Sequence, residues 1–289
     1  MSALFGPAGN SESFYAAGNK STVEAPAWLH SLGLTAYEYQ CGRGVRVSEE
    51  TARRMGEEAA RYGIRLSLHA PYFISLASAE PEKRDNSIRY ILESARAVAQ
   101  MGGDRIVAHP GGLGGLSRAD AAQLAMTTLR RAQEALDAEG LSQVRICPET
   151  MGKINQLGDL DEVLLFCETD ERFLPCVDFG HLNSRTQGGL NSYEAFSAVL
   201  DRLHNALGAE RAAIFHAHFS KIEYTGGGEK KHLTFADTQY GPEPTPLMRL
   251  VRERGLSPTF ICESDGTQAE DAAMLKALYE GEKTIWPNG

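Results

Sequence analysis

Long apolar runs are absent from this sequence, and its N-terminus lacks a basic segment followed by an apolar one. A membrane-spanning helix needs about 20 consecutive apolar residues, and a secretory signal needs both of those N-terminal segments. These absences argue against a membrane protein and against a secreted one. We therefore expect a soluble, cytoplasmic protein that has no membrane partner.

Cysteine is scarce and scattered. The five cysteines form no Cys-x-x-Cys pair, and three of them fall inside apparent strands. Disulfide frameworks and zinc ribbons need paired, regularly spaced cysteines. The sequence instead predicts reduced, buried thiols at Cys41, Cys147, Cys167, Cys176 and Cys262.

Basic residues are outnumbered, with 29 Lys and Arg against 38 Asp and Glu, which leaves a net charge of −9. Such a chain does not attract nucleic acid through its overall field, because that attraction depends on cationic contacts with phosphates. Any affinity for phosphate would have to come from a local cationic patch or from bound metal ions.

Apolar residues make up 42% of the 289 residues, so the chain can bury a large core. Strand-like runs alternate with helical patterns throughout, without a linker or internal repeat. Eight strands, each followed by a helix, predict a (β/α)₈ TIM barrel, an α/β fold that forms a single domain over residues 1–289. A doubly wound open sheet is the alternative. The predicted strands are Ala3–Gly6, Ala36–Gln40, Ile64–His69, Arg105–His109, Val144–Glu149, Phe173–Asp178, Ala212–Phe219 and Thr259–Glu263.

Two connections, Gly6–Thr22 and Glu223–Thr245, are longer than a barrel needs. Ligands usually bind at such loops on the carboxyl-terminal face of a barrel. Local signals also bound the helices: Ser48 and Ser117 are predicted N-caps, and Gly63 is predicted to end a helix.

Six of the eight predicted strands deliver His, Asp or Glu at or near their carboxyl ends. A single histidine at a strand end is more often structural than a metal ligand, but this many at one rim would each need a separate structural explanation. Imidazoles and carboxylates without thiolates are ligands for zinc, manganese, iron or cobalt. The predicted ligands are His69, His109, Glu149, Asp178, His181 in the following turn, His216, Glu263, and His232 in the long seventh loop, with His218 beside His216 on one face of its strand.

This set exceeds what one ion can hold, since zinc commonly takes four ligands. Two or three adjacent ions that share a bridging carboxylate would use the whole set. Clustered metal ions generate hydroxide and neutralise both the attacking and the leaving oxygen of a phosphoryl group. The sequence therefore favours phosphodiester hydrolysis.

The pattern of these residues resembles the endonuclease IV family over nearly the whole chain. The resemblance rests on His69 with Tyr72 behind it, His109-Pro-Gly, Glu149, Asp178-x-x-His181, His216-x-x-x-Ser220-Lys221, a later His232 and Glu263. Members of that family are trinuclear-zinc TIM barrels that cleave DNA 5′ to abasic sites in base excision repair. The resemblance implies two or three Zn²⁺ ions, with Mn²⁺ or Co²⁺ as alternatives, and abasic DNA as the partner of a monomeric enzyme.

The resemblance also implies individual roles. Glu149 would bridge two zinc ions, with His69 and His109 on the first. Asp178, His216 and Glu263 would hold the second ion, and His181 with His232 would hold the third. Glu149 and Glu263 would be the catalytic carboxylates. Contacts with DNA are expected from Tyr72, Arg43, Arg46 and Lys221.

Three departures indicate a divergent member of that family. The family has an Asp two residues before the last zinc-binding His, where this chain has Lys230, with Glu229 one residue further back. Either Glu229 reaches the metal through a shifted loop, or the third site is weakened. The first strand lacks the family's His-containing turn, and His218 has no family counterpart.

Two other functions remain open from the sequence. A sugar isomerase or epimerase of the xylose isomerase type would hold a single Mn²⁺ or Co²⁺ through Glu149, Asp178, His216 and Glu263. Its two glutamates would shuttle protons on a ketose, and the other histidines would not be needed. A non-catalytic, metal-containing relative that binds nucleic acid is the third possibility.

Overall fold

The structure is a computed structural model that describes residues 2–281. Its centre is a barrel of eight parallel strands, which confirms the predicted (β/α)₈ architecture. The barrel strands are β1 (Leu4–Pro7), β2 (Ala36–Gln40), β3 (Arg65–His69), β4 (Arg105–Ala108), β5 (Arg145–Pro148), β6 (Cys176–Asp178), β7 (His216–Phe219) and β10 (Thr259–Cys262). Two further strands, β8 (Lys221–Thr225) and β9 (Gly228–Leu233), form an antiparallel hairpin outside it.

The barrel consists of two four-stranded sheets, β1-β10-β7-β6 and β2-β3-β4-β5. Isolated parallel bridges join them at both seams. Ala8 pairs with Glu38 between β1 and β2, and Glu149 pairs with Cys176 between β5 and β6. Both seams are therefore closed by residues at or next to the polar interior of the barrel.

Helices surround the strands, and capping residues mark where several of them begin and end. Ser48 and Ser117 accept hydrogen bonds from Thr51 N and Asp120 N, and Gly63 ends its helix with φ 69°. These caps confirm the predicted signals. The helices are α1 (Glu12–Ala16), α2 (Ala25–Ser31), α3 (Glu49–Tyr62), α4 (Pro81–Gln100), α5 (Arg118–Ala138), α6 (Leu160–Glu168), α7 (Phe179–Arg185), α8 (Tyr193–Ala213), α9 (Pro244–Glu253) and α10 (Gln268–Glu280), with a 3₁₀ turn at Thr22–Glu24.

The main core lies between the helices and the outer face of the barrel. On α4, Ile88, Ile91, Ala95 and Val98 are buried at helical spacing, as the sequence periodicity predicts. The five cysteines are buried and free, in agreement with the expected reduced thiols. Among the helices of residues 2–281, none combines the length and the apolarity that crossing a bilayer requires.

The structure corrects two predicted boundaries. The seventh strand begins at His216 rather than at Ala212, because α8 continues through Ala213. The long seventh connection contains β8 and β9, whose register places Thr225 opposite Gly228. Gly226 and Gly227 form its two-residue turn, a connection typical of hairpins.

Gly6 allows β1 to approach β2 closely at one seam of the barrel. A Cβ atom at this position would lie 1.8 Å from the Ala36 carbonyl oxygen. We expect Gly6→Ala to lower the free energy of unfolding by at least about 2 kcal/mol, because β1 and β2 must move apart at this seam. Urea denaturation measures the change. Gly226→Ala is the matched control, since no atom lies within 4 Å of its new Cβ. Equal midpoints for the two variants would contradict this account of the seam.

Candidate metal centre

Strand register decides how deep each polar side chain lies in the barrel. Across β6 and β7, Asp178 pairs with His218. Cys176 pairs with His216, two residues further from the mouth. Side chains two residues apart on a strand face the same side. Both histidines therefore face inward, and His218 lies nearer to the mouth, at the level of Asp178.

The first group of possible metal ligands comprises His69, His109 and Glu149. Glu149 Oε2 lies 3.3 Å from His69 Nε2 and 3.0 Å from His109 Nε2. His69 donates from Nδ1 to the carbonyl oxygen of Ala70 at 2.8 Å. That hydrogen bond leaves the lone pair on Nε2, which faces the group.

The second group comprises Glu149, Asp178, His218 and Glu263. His218 Nδ1 lies 3.2 Å from Glu149 Oε1 and 3.4 Å from Glu263 Oε2. Glu149 therefore has Oε2 in the first group and Oε1 in the second. This is the arrangement that a carboxylate bridging two cations requires.

The third group comprises His181, Glu229 and His232. Glu229 Oε2 lies 3.4 Å from His181 Nε2, and Glu229 Oε1 lies 4.0 Å from His232 Nε2. The opposite nitrogens are held in place: His181 Nδ1 donates to the Thr150 carbonyl oxygen, and His232 Nδ1 is hydrogen-bonded to Ser220 Oγ, both at 2.8 Å.

A β-bulge explains how Glu229 joins this group. Residues three apart on a regular strand face opposite sides, so Glu229 and His232 could not share one face of β9. The hairpin register pairs Tyr224 with Glu229 and Glu223 with Lys231, which leaves Lys230 as an extra residue. The bulge returns both side chains to one face, while Lys230 forms an ion pair with Glu223.

The hairpin is fixed against the loop that follows β5. Glu229 N donates to the Gly152 carbonyl oxygen and Ile154 N to that of Gly227, each at 3.2 Å. A Cβ on Gly228, whose φ is 94°, would lie 2.2 Å from Gly152 O. Only glycine permits this approach, which holds Glu229 above His181.

The structure corrects the imidazole assigned to the second group. The resemblance placed His216 there, but His216 lies deeper, with Nε2 2.9 Å from Glu38 Oε2. His218 occupies the expected position. The sequence alone could not separate the two residues, because both face inward and only the register with Asp178 sets their depth.

Lys221 does not face the mouth, in contradiction to its predicted contact with DNA. Its side chain is 3% exposed. Nζ donates to the Asp237 carbonyl oxygen at 2.6 Å and to Glu243 Oε1 at 2.7 Å. The ammonium group therefore anchors the segment after the hairpin.

The other residues predicted to contact DNA lie on the rim. Tyr72 is 56% exposed and its ring stacks on that of His109, with centroids 5.2 Å apart. Its backbone N–H donates to the carbonyl oxygen of Gly42, in the loop that carries the exposed Arg43 and Arg46. A cavity of about 410 Å³ opens beside them, lined by His69, Tyr72, His109, Met151, Lys153, Gln156, His181, Glu229, His232 and Glu263.

The electrostatics of the site fit cations. Burial opposes ionisation of Glu149, but His109 and His218 hold its pKa well below its usual range. Asp178 differs, because burial raises its pKa to about 6. Within residues 2–281 its Oδ2 is buried and has no hydrogen-bond partner. Its one charged contact among these residues is His181 Nδ1, 3.2 Å away. A buried carboxylate oxygen without a hydrogen bond is costly, and a cation in the second group would satisfy it.

One buried acidic residue was missed by the sequence analysis. Glu38 lies in the middle of β2, wholly buried, within hydrogen-bonding distance of His216 and His218. The available signal was a Glu between two tyrosines of a strand, which puts the carboxylate on the face opposite to both rings. Its position away from the strand end concealed it.

Comparisons with known proteins agree with this architecture. The family described as xylose isomerase-like TIM barrel matches residues 26–278. An uncharacterized protein of Methanocaldococcus jannaschii is 34% identical over 254 residues, covering 87% of this chain and 90% of the relative. A probable endonuclease 4 of Thermoplasma acidophilum is 29% identical over 237 residues, covering 79% of each. These relatives confirm the resemblance inferred from the motifs.

A solved structure similar to this one belongs to a D-tagatose 3-epimerase-like protein. It superposes with a TM-score of 0.67 at 19% identity and covers 86% of this chain and 88% of its own. At that identity the likeness shows the shared barrel fold. The architecture therefore serves more than one chemistry, and the side chains at the mouth must discriminate between them.

Gly228 gives a test of the third group. Gly228→Ala would push the hairpin away from Gly152, so Glu229 and His232 would withdraw from His181. We expect the variant to lose roughly one bound metal ion per chain and to keep the first two groups loaded. Elemental analysis after dialysis measures this loss. Gly227→Ala is the control, since its new Cβ would meet only Thr225 Oγ1 at 3.7 Å. Equal metal contents would show that docking of the hairpin does not build the site.

Proposed function

This chain belongs to the xylose isomerase-like TIM barrel family, and we propose that it is a metal-dependent phosphodiesterase that cleaves DNA 5′ to abasic sites. The proposal depends on how many possible metal ligands meet at the mouth and on the one that two groups share. Nine residues form three adjacent groups at the mouth, and Glu149 belongs to two of them. One ion takes about four such ligands, so the set is suited to two or three.

The chemistry follows from the donors present. Divalent ions held by the three groups would supply an acidified water and positive charge beside a phosphate. Nitrogen and oxygen donors without an exposed thiolate fit Zn²⁺, with Mn²⁺ or Co²⁺ as alternatives.

Two glutamates have distinct parts in this mechanism. Glu149 is wholly buried and orients His69, His109 and His218 through its two oxygens. Glu263 reaches the cavity with 15% of its side chain exposed. Burial opposes its ionisation, but His218 lowers the pKa of Glu263 to about 2. At neutral pH its carboxylate is therefore charged, which suits it to hold a cation in the second group and to orient an attacking water by accepting a hydrogen bond.

The rim supports a nucleic-acid substrate. Tyr72 lines the cavity and is 56% exposed, and exposed aromatic rings stack on unpaired bases. Arg43 and Arg46 offer local cations, which the net charge of −9 makes necessary. Extrusion of a nucleotide costs less at an abasic site than in an intact duplex, which would supply part of the selectivity.

A sugar isomerase or epimerase is the second candidate, and one observation favours it. The second group is complete by itself, with two glutamates on either side of His218 and an Asp beside them. Such a pair of carboxylates can move protons on a ketose, and an epimerase-like protein shares the fold. That mechanism would leave His69, His109 and the third group without a role.

Glu149→Gln tests the proposal directly. We expect cleavage of an abasic duplex to fall by roughly 10²–10⁴-fold or more, because the neutral amide cannot link the first two groups. The assay follows strand scission alongside circular dichroism and metal content. Glu253→Gln, at an exposed surface pair with Arg249, is the control.

Three outcomes would count against the nuclease. Undiminished cleavage by the Glu149 variant would remove Glu149 from the mechanism. One exchangeable ion per wild-type chain with turnover of a ketose would establish the isomerase. A wild-type protein that binds abasic DNA but never cuts it, whatever the divalent metal, would be a non-catalytic relative.

Tyr72→Ala separates substrate binding from metal binding. The ring lies outside the three ligand groups and stacks on His109, so we expect the metal content to stay unchanged. Affinity for an abasic duplex should fall roughly tenfold or more, the worth of one stacking contact. Fluorescence anisotropy measures it, with Leu165→Ala, an exposed apolar residue on α6, as control. Equal affinities would exclude Tyr72 from DNA recognition.

A further inference from the structure

A buried polar network lies beneath the second ligand group and is centred on Glu38. Glu38 Oε2 accepts hydrogen bonds from Ser67 Oγ and His216 Nε2, both at 2.9 Å. Oε1 lies 3.0 Å from His218 Nε2 and 3.3 Å from Gln40 Nε2. Glu38 and both histidines are 0% exposed. Ser67, His216 and Gln40 hydrogen-bond to this one carboxylate inside the barrel. His218 Nε2 has no hydrogen-bond partner among residues 2–281 and lies within ion-pair distance of the same carboxylate.

His218 connects this network to the proposed metal centre. Its Nε2 faces Glu38, whereas Nδ1 faces Glu149 and Glu263. A neutral imidazole carries a proton on one nitrogen and a lone pair on the other. When Nε2–H points to a carboxylate, the lone pair is on Nδ1 and directed at the second group.

We propose that Glu38 is a positioning residue of the metal centre, whose carboxylate holds His218 in the tautomer and orientation that present Nδ1 as a ligand. The inference rests on the proposed metal centre and is independent of the substrate. Outer carboxylates that accept from a ligating imidazole fix the ring and strengthen it as a donor.

The chemistry of the network requires a carboxylate at position 38. An ionised carboxylate is only an acceptor and has about four lone-pair directions, enough for Ser67, Gln40, His216 and His218. An amide would turn an NH₂ group toward at least one of these donors. If that donor were His218, its proton would move to Nδ1 and the lone pair would turn away from the second group.

Glu38→Gln is the test, with Zn²⁺ alone as the probe. Chelator competition should show one zinc equivalent bound about 10–100-fold more weakly than in the wild-type chain. Long-range ¹H–¹⁵N correlation spectra of the imidazoles should show protonation of His218 at Nε2 in the wild-type protein and its loss in the variant. A His218→Asn spectrum assigns the signals.

Two further variants separate positioning from general packing. Ser67→Ala removes a donor to the same carboxylate but leaves Glu38 and His218 intact, so zinc affinity should stay within about threefold of wild type. Glu38→Asp keeps the charge on a shorter stem and should recover part of the affinity that Gln loses. The Asp variant also answers the question if the Gln variant does not fold.

Three results would overturn the inference. Wild-type zinc affinity and an unchanged His218 tautomer in Glu38→Gln would show that the carboxylate does not position the ring. Equal losses of zinc affinity in Ser67→Ala and Glu38→Gln would show that the effect comes from general packing and not from the carboxylate. A zinc equivalent lost in Cys176→Ser would place an ion among Cys176, His216 and His218, which also lie close together. Cleavage of abasic DNA is assayed separately, so each proposal can fail without the other.

Discussion

The carboxylate of Glu149 has one oxygen in each of two adjacent ligand groups, and the arrangement of the mouth depends on it. Its Oε2 faces His69 and His109, while its Oε1 faces His218. Its backbone also pairs with Cys176 and closes the seam between β5 and β6. Glu38 closes the opposite seam by pairing with Ala8. The two places where the barrel closes thus carry its two fully buried glutamates, so the geometry of closure also sets the distances in the site.

Much of this fold could be predicted from the sequence, because strand ends are marked by local chemistry. Apolar runs that stop at His69, His109 and Glu149 indicate both the barrel and the face on which its ligands meet. The depth of a side chain inside the barrel, by contrast, could not be predicted from the sequence. His216 and His218 have the same period and the same inward direction, and only the pairing of β7 with β6 places His218 beside Asp178.

Glu229 shows another limit of sequence reasoning. The sequence left Glu229 open as a ligand because Lys230 takes the position of the family's Asp. On a regular strand, a spacing of three would also place Glu229 and His232 on opposite faces. The bulge at Lys230 reverses that conclusion. Lys221 failed for a related reason: its position in a motif suggested a contact with DNA, but its ammonium is held by Asp237 and Glu243. A bulge depends on how two strands pair, and a buried ion pair depends on which residues fold against each other. The spacing of residues along the sequence reveals neither.

The charge of the mouth bears on which substrate the proposed centre would accept. Glu149, Asp178, Glu229 and Glu263 crowd a small region, and the chain as a whole carries −9. These carboxylates repel an approaching phosphate, whereas Arg43 and Arg46 on the rim and Lys153 in the cavity wall attract it. Cations in the three ligand groups would favour the binding of an anionic substrate, whereas a neutral sugar would gain little from their charge. The residues that would hold metal ions for hydrolysis would thereby also set the charge that a DNA substrate meets at the mouth.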